Sequence, residues 1–178
     1  LAENLLFGTP VDPAYEAENL AQNPVISDIL AQQGLLSELE TMAIKIAETM
    51  VEIFADLPPG HPFFEQFSFI DFEDLQEFRA LIQRTEKSGM KSLNESERSR
   101  LLALPFRYIK GRHRLDLTEG ASEEEEFESR VLKARHVIFD RLLREDGKSP
   151  VAFYNPETYN AAATLQDNIL FGRLRSEE

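Results

Sequence analysis

The chain has 178 residues, enough to bury the core of one domain, with or without a small appendage, but crowded for two. A formal net charge of -13 repels nucleic acid and anionic membrane at long range, and the absence of cysteine removes disulfides, thiolate metal sites and a cysteine nucleophile. No apolar run approaches the roughly 20 residues that span a bilayer and no charged-then-apolar leader opens the chain, so a soluble piece is expected; a first residue of Leu rather than Met suggests a segment of a longer polypeptide.

Pro10, Pro13 and Pro24 break the opening stretch into short pieces, with residues 14–22 helix-compatible and a second short helix expected over 24–33. Pro24 falls in its first turn, where the missing N–H is harmless, and Gly34 can end it in a left-handed conformation. Ser37 is expected to cap the central helix, 37–56, in which Leu39, Met42, Ala43, Ile46, Met50, Ile53, Phe54 and Leu57 recur on one face until Pro58-Pro59-Gly60 stops it. Phe63, Phe64, Phe67, Phe69 and Phe72 crowd the next stretch and must turn inward. Asp71 can cap a helix carrying Phe72, Leu75, Phe78, Leu81 and Ile82, with Gly89 past its end. Asn94 and Glu97 make a capping box before Leu101, Leu102 and Leu104, and Pro105 predicts a kink or a restart. Ser122 and the acidic run 123–126 suit a helix N-terminus, after which Phe127, Val131, Ala134, Ile138 and Leu142 form a buried stripe as far as Gly147. Residues 151–154 read as a short extended piece, with 68–70 its candidate partner. The fold class is therefore mainly α, an irregular helical domain with at most a minor two-stranded β contact. It divides into a flanking segment and linker over 1–23, a helical body over 24–150 and a return segment over 151–178. Phe63, Phe67, Phe69, Phe72, Phe78 and Phe127 are expected to share one core.

Chemistry is sparse. Arg98, Arg100, Arg107, Lys110, Arg112 and Arg114, with His113 among them, form a basic stretch without one acidic residue in a strongly acidic chain. It suits a phosphate-bearing ligand, nucleic acid or the acidic surface of a partner, with Phe106 and Tyr108 for stacking; the plainer alternative is neutralisation by Glu119, Glu123, Glu124, Glu125, Glu126 and Glu128. His61, His113 and His136 are too scattered for a local metal motif, and His136 with Asp140 at i, i+4 reads as a hydrogen bond. Glu48 and Glu52, one turn apart, read as a solvated face. No nucleophile elbow appears, so no catalytic triad is assigned. Thirteen Phe without a Trp read first as core, and otherwise as a pocket for a hydrophobic ligand.

The most specific pattern lies at the ends. Leu1-Ala2-Glu3-Asn4-Leu5-Leu6-Phe7-Gly8 returns as Leu165-Gln166-Asp167-Asn168-Ile169-Leu170-Phe171-Gly172, identical at five positions and conservatively changed at two of the others. This octapeptide resembles the segment just after the Q-loop of ATP-binding cassette (ABC) transporter ATPases, a stretch reading roughly Ile-Arg-Glu-Asn-Ile-Leu-Phe-Gly that begins the helical subdomain. The resemblance implies an insertion in such an ATPase, framed by two copies of the receiving sequence. It is carried by Glu3, Asn4, Leu6, Phe7 and Gly8 in one copy and by Asp167, Asn168, Leu170, Phe171 and Gly172 in the other. In the family the segment is structural, and one copy suffices. The chain contains no Walker A loop and no Ser-Gly-Gly signature. ATP and Mg are thus expected for the parent protein, and no catalytic, cofactor or metal residue is assigned here.

By the same resemblance the partners are the rest of the ABC ATPase and its membrane subunits, and the location is cytoplasmic, at the membrane through the parent. The expected role is an accessory one, regulating coupling or recruiting a protein by contact. A ligand-sensing helical module for a hydrophobic or anionic small molecule is the alternative, and an independent enzyme comes third. Insertion geometry expects the body to hold Pro24 and Pro150 on one side of the molecule. It also expects at least one octapeptide to pack on its own domain or, in a homodimer, on a neighbouring copy.

Overall fold

The computed structural model describes residues 1–62, 64, 72–108, 121–143, 149–155, 157–165 and 168, the side chains of 121–123 excepted. Among these, six helices are bounded: α1 (Ala2–Leu6), α2 (Pro24–Gln32), α3 (Leu36–Phe54), α4 (Asp74–Ser88), α5 (Glu95–Arg107) and α6 (Ala121–Leu142). Two short strands, β1 (Gly8–Pro10) and β2 (Val151–Phe153), pair antiparallel. The fold is mainly α with a minor two-stranded sheet, as the periodicity predicts.

Local signals account for most helix ends. Asn23 caps α2 by accepting from the backbone N–H groups of Val25 and Ile26, with Pro24 at the first position. After α2, Gly34 takes the left-handed conformation at φ 68, its N–H bonding Ala31 O while Leu35 N–H bonds Leu30 O. This is the Schellman arrangement. It hands the chain straight to α3, so the N-cap is the buried Leu35, without a side-chain cap, and Ser37 lies inside the helix rather than capping it. Asn94 and Glu97 exchange both hydrogen bonds of the capping box at the start of α5. Gly89, at φ 69, follows α4 as expected.

Three further expectations are corrected. Residues 14–22 form two 3₁₀ turns, Pro13–Tyr15 and Leu20–Gln22, instead of a helix, because Asp12 and Asn19 bind nearby backbone groups with their side chains. Helix α5 runs through Pro105 to Arg107 instead of restarting there. Pro105 forgoes the bond its N–H would make to Leu101 O, and burial of Pro105 with its neighbours Leu104 and Phe106 holds the last turn in place. The phenylalanines do not share one core: Phe78 belongs to one cluster, Phe127 packs partly buried against another, and Phe72 is 37% exposed with its edge on Phe64. Phe63, Phe67 and Phe69 lie outside the described residues, as do Asp71, the stretch 68–70 and Gly147.

The two clusters share α3 and α5. The first takes Leu39 from α3 and Leu102 and Phe106 from α5, and joins them to Leu5, Leu6, Tyr15, Leu20, Ile26, Ile29, Val131, Ala134, Ile138, Leu142 and Val151. Residues 1–23, expected as flank and linker, thus supply buried side chains to it. The second takes Ala43, Ile46, Met50 and Phe54 from α3 and Leu101 and Leu104 from α5, closed by Leu75, Phe78, Leu81 and Ile82 of α4. Helix α3 is central, as its periodicity predicts.

Candidate interaction site at the paired ends

The first octapeptide folds as α1 and the turn after it. Ala2, Leu5 and Leu6 are buried against the body while Glu3 and Asn4 face outward. Phe7 ends the helix at φ 46, ψ 50, a left-handed conformation that costs a non-glycine residue about 1–2 kcal/mol. The chain turns sharply there, and Gly8 begins β1 opposite Phe153. A Cβ on Gly8 would lie 2.6 Å from Ala152 O and 2.8 Å from Phe153 Cα. Only glycine lets the strands approach so closely.

The ladder is longer than its strands. Tyr154 N–H donates to Phe7 O at 3.0 Å, Thr9 and Pro10 face Ala152 and Val151, and the N–H groups of Val11 and Asp12 both donate to Pro150 O. The outgoing and returning chains therefore run side by side, their contact beginning well before Pro24. Strand β2 finds its partner in β1 at the other end of the sequence.

The second octapeptide is tied to the same ribbon. Asn168, the counterpart of Asn4, accepts from Asn160 N–H at 2.8 Å and donates to Asn160 O and Thr164 O, both at 2.9 Å. Asn160 in turn donates from Nδ2 to Thr9 Oγ1 at 3.2 Å and to Ala152 O at 3.4 Å, one on each strand. Two asparagines thus latch the return segment to both strands. Asp167, Leu170, Phe171 and Gly172 lie outside the described residues.

Helix α6 passes beside the ribbon and completes a surface. Arg135 Nε donates to Asn4 O at 2.6 Å, and its guanidinium lies 4.7 Å over the Phe7 ring. Phe7 meets Tyr154 edge to face at 5.3 Å, and Phe139 meets Phe153 at 4.8 Å. Phe7, Leu132 and Phe139 remain 47%, 45% and 38% exposed. Burial lowers the Arg135 pKa from the usual arginine value without removing its charge at neutral pH. Nothing in the sequence singles out Arg135 or Asn160, whose roles depend on segments from opposite ends of the chain. The glycine common to both octapeptides was the one local hint of a close backbone approach.

The basic stretch is largely committed where it is described. Arg98 pairs with Glu40 of α3, and Arg100 with Asp74 and Glu77 of α4. These partners come from helices packed on α5 rather than from the acidic run at the start of α6. Arg107 is also engaged, and Lys110, Arg112, His113, Arg114 and Glu119 lie outside the described residues. His136 meets Leu132 O through Nδ1 at 2.7 Å instead of Asp140, and Glu48 and Glu52 are exposed. Among the described residues, no group of three or more His, Cys, Asp or Glu is placed to hold a metal, and no helix is long and apolar enough to cross a membrane. A crevice lined by Leu20, Leu30, Leu39, Leu102 and Phe106 has a cavity volume of about 10 Å³, room for about one water molecule and far below the ~300 Å³ at which ligand sites begin. Comparison with family models, with curated proteins and with solved structures finds no match to this chain.

Proposed function

We propose that the chain is an accessory insertion domain of an ABC transporter ATP-binding protein, regulatory or protein-interacting, and non-catalytic by itself. The observation that carries this is the ribbon. Both octapeptides adjoin it, one through Phe7 and Gly8 and the other through Asn168 and Asn160, and the chain leaves and returns on neighbouring antiparallel strands. A body interrupting a continuous host needs this geometry, since distant entry points would pull the receiving element apart. The host keeps the ATP and Mg chemistry, and the domain acts by contacting the host or its membrane subunits differently in the open and closed states. The setting is cytoplasmic, at the membrane through the host.

The duplicated sequence supplies its own test. Deleting residues 9–172 from the parent polypeptide joins Gly8 to Arg173 and leaves a single octapeptide, the arrangement an uninterrupted family member has. The shortened parent is expected to fold and to retain Mg-dependent ATP hydrolysis with altered regulation, while the isolated chain turns over no ATP. A shortened parent without nucleotide hydrolysis, or robust turnover by the repurified chain, refutes the reading. If the chain is instead a ligand sensor, a small-molecule panel would raise its melting temperature without any partner.

A further inference from the structure

The structure shows what the first octapeptide must supply to dock, and the second carries nearly the same set. Helix α1 lies along α6, with Ala2, Leu5 and Leu6 in the cluster that holds Val131, Ala134 and Ile138. Arg135 grips it twice, through Asn4 O and through the Phe7 ring, and Gly8 meets the β2 backbone where no Cβ fits. In the second octapeptide Leu170, Phe171 and Gly172 stand where Leu6, Phe7 and Gly8 do. The acceptor on Asn4 is a backbone oxygen that any residue supplies, and Asn168 holds that position. Leu5 becomes Ile169, an isomer of the same volume, and the exposed Glu3 becomes Asp167. Ala2, only 7% exposed, becomes Gln166, which brings a polar head to a buried position.

We propose that the seat of α1 on α6 is a binding site for either octapeptide of the chain, and that Leu165–Gly172 enters it when Leu1–Gly8 leaves. The first copy holds the seat because Ala2 and Leu5 fit it better than Gln166 and Ile169. The second is the weaker competitor, latched to the ribbon through Asn168 and Asn160. Helix α1 has five residues, too few to persist without its seat, so its exit is a local opening and not a global unfolding. The occupant is the chain's own second copy. Tyr154 N–H bonds Phe7 O, so the return segment starts at the C-terminal end of the seat, and the ten residues 155–164 reach up to about 33 Å. The helical stretch to be covered is only about 10 Å long. A segment tethered so closely competes at an effective concentration that a neighbouring molecule does not match. One seat for two copies makes the pair a two-position switch, in which seating one releases the other. This goes beyond the insertion reading and does not depend on it.

Hydrogen exchange over residues 1–8 and 165–172, read by mass spectrometry, tests it in the isolated chain. Gln166→Ala with Ile169→Leu gives the second copy the buried side chains of the first and alters no residue of the seat. A seat shared equally is lost to each copy half of the time. The Leu5 and Phe7 amides, which bond Leu1 O and Glu3 O, should then exchange at least about tenfold faster, and the amides of 165–172 more slowly than in the unaltered chain. Unchanged exchange over 1–8, or faster exchange there without slowing over 165–172, overturns the proposal. So does slowing that grows with protein concentration, which would assign the seat to the octapeptide of a neighbouring copy. The insertion reading fails separately, when the parent lacking residues 9–172 does not hydrolyse ATP.

Discussion

Among the described residues, the core beside the ribbon gathers its buried side chains from residues 2–39, from Leu102 and Phe106, and from residues 131–151, whereas the distal core takes its own from residues 43–108. The two are similar in chemistry and share α3 and α5, yet they close loops of very different length. The distal core can form from local contacts, while the near core must first bring the chain ends together. If the chain is the insertion proposed above, the half that depends on both ends is the half on which a host would pull, and the distal half is the one it would leave undisturbed. Glu38 and Glu40, two residues apart and so on opposite sides of α3, show the division at the level of single pairs: Glu38 receives Arg130 from α6 and Glu40 receives Arg98 from α5.

The sharpest break in this comparison comes from emptying one core at a time. Leu5 and Ile46 are both fully buried, the first beside the ribbon and the second in the distal cluster. Leu5→Ala and Ile46→Ala should each cost about 2–5 kcal/mol in chemical denaturation. Hydrogen exchange then separates them. Leu5→Ala should speed exchange in β1, β2 and α6 more than in α4, and Ile46→Ala should do the reverse. A uniform rise in both variants would mean that the cores open as one unit.

Glycines sharpen the contrast between ribbon and loop. Gly8→Ala drives a methyl into Ala152 O and the Phe153 backbone, and is expected to cost about 2–3 kcal/mol as an overpacked site. Gly60, at φ 75 in the distal half with no atom within 4 Å of its added Cβ, has only the backbone penalty to meet, about 1 kcal/mol for Ala. Melting curves rank them. If Gly60→Ala proved the more damaging, the close strand approach would not be what requires glycine at position 8.

The caps give a smaller pair. Asn23 is buried, caps α2 through two backbone N–H groups and donates its amide to Ala14 O. Asn94 caps α5 at the surface. Asn23→Ala should cost about 2 kcal/mol and Asn94→Ala about 1 kcal/mol, the upper and middle parts of the range for N-caps. Equal losses would show that the extra bond to Ala14, which ties the 3₁₀ turns to α2, adds nothing to the near half.

What was legible in the sequence divides by range and not by half. Pro24, Gly34, Gly89 and the Asn94–Glu97 box act within a few residues, and each could be read from spacing. Ser37 was misread because the cap position was fixed by the Schellman turn one step earlier, which made the apolar Leu35 its occupant. Strand β1 was missed because Gly-Thr-Pro carries no alternation and ends in a proline, tolerated here because a two-stranded ribbon consists of edges. Its partner lies at the far end of the chain. The octapeptide repeat marked where the ends belong, but Arg135 and Asn160 were invisible, since one acts through the backbone of Asn4 and the other through two strands that only the folded chain brings together. Local chemistry wrote the helix ends in both halves; the ribbon and its candidate site are products of long-range closure.

The smallest expected effect compares two exposed ion pairs, one in each half. Asp28 of α2 bonds Arg141 of α6 beside the ribbon, and Glu97 of α5 bonds Arg84 of α4 in the distal half. In both, the hydrogen bond from the arginine is the main reason that the carboxyl pKa lies below its ordinary value; for Glu97 the Asn94 N–H adds to it. A carboxylate depressed in the folded state stabilises the fold fully above its unfolded pKa, near 4, and the contribution fades as pH falls through the lower folded value. The melting temperature should therefore be flat in these groups from pH 7 down to about 5 and fall below about 4, less steeply in high salt, because exposed pairs are screened. Glu97→Gln can keep the capping box while losing the charge, so it should remove the distal part of this acid slope and leave α5 capped. Asp28→Asn should remove the near part. If melting between pH 5 and pH 3 is identical in wild type and both variants, neither pair contributes to the acid sensitivity, and the two halves would have to be distinguished by packing alone.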